Sequence, residues 1–104
     1  MTFSTNNLDN DAITYEESTQ SLLWADIEYR LASPEDQIKL WEPLQQAWDK
    51  YMESRINLLK PGMICTTQDV IKMKQIRREI CQAATTQTLI QGLAKLVGIL
   101  LKFC

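Results

Sequence analysis

Side chains able to attack, exchange a proton or hold a metal are few in this chain. It has three cysteines, Cys65, Cys81 and Cys104, and no histidine. Without histidine, both the usual proton shuttle near neutral pH and the commonest metal ligand are missing. The cysteines are odd in number, widely spaced and without a C-x-x-C pair, which reads as neither a disulfide framework nor a zinc site. Unpaired thiols suit a reducing compartment, so the expected location is the cytoplasm. Cys81 is the candidate reactive thiol, because Arg77 and Arg78 fall one helical turn away and guanidinium charge favours the thiolate.

Glu16–Glu17 and Glu35–Asp36 are the close carboxylate pairs that could divide acid and base roles. Both fall where first turns of helices are expected. There the helix dipole already accounts for acids, at about 0.3–1 kcal/mol each. No phosphate loop, no Ser–His or Cys–His pair and no metal-ligand cluster accompanies them. The sequence therefore supports no catalytic residue, no cofactor and no metal site, and the expectation is a non-enzymatic protein.

Lys72, Lys74, Arg77 and Arg78 form a candidate charged recognition face. One short basic row supplies few phosphate contacts, and no aromatic residues interleave with it. Nucleic acid is thus disfavoured as a partner, although a nucleic-acid-binding regulator remains the alternative function. An acidic protein surface fits the row better. The charge distribution of the chain points the same way. Residues 1 to 53 hold eleven Asp and Glu against three Lys and Arg, a net of −8. Residues 54 to 104 hold eight basic residues against two acidic ones, a net of +6. Such asymmetry can be satisfied internally, between subunits or by another partner.

The elements that must position these residues are helices. Three Gly and three Pro in 104 residues leave little material for the turns of an all-β fold. At 45% hydrophobic and 23% charged, the chain has an ordinary globular composition, so one domain with a single core is expected. Residues 1–13 are polar and read as a disordered tail without a secretory leader, and residues 14–104 as one helical domain. Thr14 and Glu17 read as a capping box opening the first helix. Its apolar side is Ile13, Leu23, Trp24, Ile27 and Leu31, with Leu22, Ala25, Tyr29 and Ala32 as a weaker edge opposite.

Ser33-Pro34 opens a second helix, whose apolar half carries Ile38, Leu40, Trp41, Leu44, Trp48 and Tyr51, then Met52, Ile56, Leu58 and Leu59. The apolar phase is unchanged across Pro43, which predicts one long helix bent there rather than two. Thr66 or Thr67 caps a third helix with Met73, Ile76, Ile80, Ala83 and Ala84 inside. The phase then rotates; against the competing reading of one uninterrupted helix buried on different sides along its length, Thr85 or Thr86 marks a break before a fourth. That helix, Leu89 to Phe103, is the most apolar, yet too short and too interrupted by Gln91, Lys95 and Lys102 to span a bilayer.

The expected architecture is an all-α compact bundle of about four helices, with helix 2 bent at Pro43, assembled as a homo-oligomer. Trp41, Trp48, Leu93, Leu96, Val97, Leu100 and Leu101 form the candidate interface, with helices 2 and 4 supplying the hydrophobic interior and the dimer contact; the alternative for the fourth helix is the centre of a monomer core. Ala84, Thr88 and Gly92 make a small-residue stripe better explained by tight internal packing than by recognition. The expected function is protein–protein interaction, regulatory or adaptor-type, by a chain that associates with itself and with an unidentified protein.

Overall fold

The computed structural model describes residues 10–60, 62 and 64–104. They form four α-helices: α1 Asn10–Leu31, α2 Pro34–Leu58, α3 Thr67–Cys81 and α4 Thr86–Leu100, with a terminal 3-10 turn at Leu101–Phe103. No strand occurs among the described residues. Three of the four helix starts follow local chemistry. The Ser33 side chain accepts from the backbone N–H of Asp36, with Pro34 in the first turn. Thr66 and Asp69 close a reciprocal capping box, and Thr85 and Thr88 close another. The break between α3 and α4 therefore falls where the change of apolar phase predicts it. Pro43 lies inside α2 without ending it, so this is one helix.

The start of α1 departs from expectation. The helix begins at Asn10 rather than Thr14, and residues 10–13, predicted as part of the tail, are helical. The rest of that predicted tail, residues 1–9, lies outside the described residues.

Cross-helix contacts give the topology. Tyr15 stacks on Tyr51 and Tyr29 tilts against Trp41, so α1 and α2 run antiparallel. The Lys95–Glu79 and Lys102–Asp69 ion pairs, both 2.6 Å, set α3 and α4 antiparallel. Asp11 meets Cys65 and Glu17 meets Arg77, which aligns α1 with α3. The two hairpins pack so that α1 and α4 sit on one diagonal, touching little, and α2 and α3 on the other. The α2–α3 connection thus crosses one end of a bundle 48 × 23 × 23 Å in extent.

The core draws Leu22 and Ala25 from α1, Leu40, Leu44 and Leu58 from α2, Met73, Ile76 and Ile80 from α3, and Leu89, Leu93, Leu96 and Leu100 from α4. Gly92 lets α4 approach α3 closely: a Cβ there would stand 2.8 Å from Ile80 Cγ1. Of the small-residue stripe only Gly92 is buried; Ala84 and Thr88 are exposed.

Candidate interaction surface

The buried face of α1 is mostly polar. Asp11, Thr14, Ser18 and Ser21 are fully buried, alongside Leu22 and Ala25. Small hydroxyl side chains let helices approach closely when they bond back to their own backbone. Ser18 Oγ donates to the carbonyl of Tyr15 and Ser21 Oγ to that of Glu17, both at 2.8 Å. The cost of burying the Ser18 and Ser21 hydroxyls is thereby met inside the helix. As a result α1 turns its larger apolar residues outward. Leu23, Trp24, Ile27 and Leu31 are exposed, Leu31 by 77%. Of the two apolar sides read from the sequence, the first helix thus buries most of the weaker edge and leaves Leu23, Trp24, Ile27 and Leu31 of the other exposed.

On α2 the apolar arc is wider than the neighbours that cover it. Leu40, Leu44, Ala47, Tyr51 and Leu58 are buried. Ile38, at 78% exposure, and Trp41, Met52, Ile56 and Leu59 stand on the outer flank. Nine of the twelve large exposed hydrophobics among the described residues belong to α1, α2 and the α2 C-cap. Apolar surface concentrated in this way marks contact sites far more than scattered single residues do. A shallow groove of about 300 Å³ runs along the α1–α3 side, lined by Gln20, Leu23, Trp24, Ile27, Arg77 and Cys81.

The residues singled out from the sequence are split by the fold. Leu93, Leu96 and Leu100 are buried among α2, α3 and the rest of the core, so they offer no surface to a second copy. The wide apolar side of α4 is covered within one chain by the two helices that flank it. Val97 is half-buried and Leu101 exposed. Trp41 is 54% exposed and leans on Tyr29, while the half-buried Trp48 sets its ring edge-on to Tyr51.

The basic row is divided as well. Lys72, Lys74 and Arg78 are exposed, but Arg77 is half-buried and its Nε donates to Glu17 at 2.5 Å. That hydrogen bond holds the Arg77 guanidinium above its ordinary range. Here the acidic half of the chain meets the basic half internally. Glu17 sits well inside α1, so its role is the bridge to Arg77 rather than a dipole effect at a helix start. Glu35 and Asp36 do occupy the first turn of α2.

Cys81 is singled out by its neighbouring arginines. Burial pushes its thiol up, outweighing the opposing influence of Arg77, whose charge is shared with Glu17. Cys65 is pushed further, to about 12, by burial first and with Asp11 adding to it. No group of His, Cys, Asp or Glu suited to hold a metal occurs among the described residues. No helix among them is long and apolar enough to cross a membrane.

Sequence reasoning missed Asp11. Its carboxylate accepts from the backbone N–H groups of Ile64, at 3.1 Å to each oxygen, and of Cys65, at 2.7 Å. Asn10 adds a bond from Nδ2 to the Cys65 carbonyl at 3.2 Å. No local signal in a polar segment announces a partner so distant in the chain. In comparisons with known protein families, curated proteins and solved structures, the chain matches none.

Proposed function

We propose that this chain is a non-enzymatic helical protein of the regulatory or adaptor type, acting in the cytoplasm by docking another protein on the outer faces of α1 and α2. One observation carries this reading: the most apolar helix, α4, is spent on the chain's own core, while the acidic α1–α2 hairpin presents Leu23, Trp24, Ile27, Ile38, Trp41 and Met52 to solvent. Exposed Trp beside aliphatic side chains is the composition of interface hot spots. Self-association stays part of this reading, with the inner side of α4 already occupied by the chain's own core. Any second copy must meet the same α1–α2 faces, in competition with the partner.

Site-resolved photocrosslinking in the native host tests this. A photoreactive residue at position 27, 41 or 52 should give a discrete heterologous adduct. The same residue at Gln87 or Gln91, exposed on α4, should not. Equal labelling from both sets, or none from the α1–α2 set, would remove the reading.

A further inference from the structure

We infer that the outward flank of α2 is a helix-docking seam for a basic amphipathic helix of a partner protein. The inference rests on the protein-contact reading above and specifies the chemistry of the partner. The spacing along the flank alternates three and four residues: Ile38, Trp41, Trp48, Met52 and Leu59 occupy it, with Gln45 and Arg55 in the two remaining places. That is the repeat by which one helix presents knobs to another. Ile38, Trp41, Met52 and Leu59 are exposed and Trp48 is half-buried, so beyond the Tyr29 ring that leans on Trp41 and the packing of Trp48 on the core, the seam is open to solvent. From Ile38 to Leu59 it extends about 31 Å, roughly six helical turns at 1.5 Å per residue.

The charges beside the seam choose the occupant. Glu35, Glu42 and Asp49 recur every seven residues along its outer edge, all exposed. None of the three is in an ion pair among the described residues. The opposite edge, Gln37, Leu44, Tyr51 and Leu58, turns toward the chain's own core, so only the acidic edge is open to a docking helix. Charges at such flanking positions set partner and orientation in helix pairs. A second copy docking α2 on α2 in antiparallel sense would set this acidic edge against itself, and in parallel sense would require the buried edge. An anionic lipid surface meets the same repulsion. A helix carrying Lys or Arg along one side of an apolar stripe satisfies both the seam and its edge. Arg55, near the end of the seam, polarises it. The basic side chains of the partner belong opposite Glu35 to Asp49.

The test uses two peptides of about four heptads, both with Leu at the seam positions and with Lys in one and Glu in the other at every flanking position. Binding is read from the fluorescence of Trp41 and Trp48 and from helicity gained. The Lys peptide should bind about ten-fold or more tighter than the Glu peptide, with affinity falling as salt is raised. The doubly reversed variant Glu42→Lys with Asp49→Lys, checked for an unchanged circular dichroism spectrum, should exchange the preference. Equal binding of both peptides, insensitive to salt and to the reversal, would overturn the charge-selected partner while leaving the α1–α2 contact reading intact. Binding of neither would overturn the inference too, with the crosslinking result deciding separately whether the broader reading survives. Two further outcomes would also overturn it. One is binding to anionic phosphatidylserine vesicles that is lost in Met52→Lys. The other is a concentration-dependent doubling of mass lost in the same variant, which would give the seam to a second copy.

Discussion

The Asp11 carboxylate accepts a 2.7 Å hydrogen bond from the backbone N–H of Cys65, 54 residues along the chain. This bond ties the first turn of α1 to the connection that carries the chain diagonally from α2 to α3. Replacing Asp11 by Ala leaves buried N–H groups without their acceptor and should cost about 1–3 kcal/mol. Asn keeps one acceptor oxygen without the charge and should cost less. Urea denaturation midpoints of the two variants check the order. Removing residues 1–12 should destabilise at least as much as Asp11→Ala.

Gly92 and Gly98 lie in the same helix and should respond to alanine with opposite signs. At Gly92 the added methyl meets Ile80 Cγ1, an overpacking cost of about 1–3 kcal/mol. A propensity gain of about 1 kcal/mol offsets part of it. At Gly98 nothing lies within 4 Å of the added atom, so the propensity gain of up to about 1 kcal/mol stands alone. Thermal melts should therefore fall for Gly92→Ala and rise for Gly98→Ala. In an Ile80→Ala background the penalty at Gly92 should vanish, as a double-mutant cycle would show.

Acid should loosen the α3–α4 hairpin. Burial alone would raise the Asp69 carboxyl, but hydrogen bonds from Lys102 and from the Thr66 backbone and side chain hold it below its ordinary value. A carboxyl lowered by folding contributes stability that is complete above the unfolded value near 3.9. The contribution is lost as pH falls through the lower folded value. Melting temperature should thus decline below about pH 4. The decline should be shallower in Asp69→Asn, which has no carboxylate to protonate.

The three thiols should react in order of access. Cys104 is exposed, Cys81 half-buried and Cys65 buried with its thiol pushed up to about 12. Titration with a chromogenic disulfide at mild alkaline pH should show Cys104 fast, Cys81 slower and Cys65 only on unfolding. A Cys81 that outpaced Cys104 would restore the activation expected from its neighbouring arginines.

Charges placed on the two kinds of apolar surface should separate core from contact face. Leu96→Asp puts an unpaired charge into a fully buried position and should unfold the protein. Ile38→Lys sits on a side chain 78% exposed and should move stability by no more than about 0.5 kcal/mol. Circular dichroism of both variants at one temperature is sufficient to tell.

The all-α class, the caps at Ser33, Thr66 and Thr85, the passage of α2 through Pro43 and the break before α4 were all legible in the sequence. Each depends on side chains within a turn of one another, or on the phase of a single helix. Which flank of each apolar arc is buried was decided only by the tertiary structure. Periodicity marks an arc but not the neighbour that covers it. On α1, hydroxyls bonded to their own backbone behave as small packing residues, so Ser18 and Ser21 went inside while Leu23 and Ile27 stayed out. On α4 both flanks are covered within the chain, by α2 and α3. Asp11 was hidden for the same reason, since its partners are 53 and 54 residues away and only the diagonal crossing brings them to it.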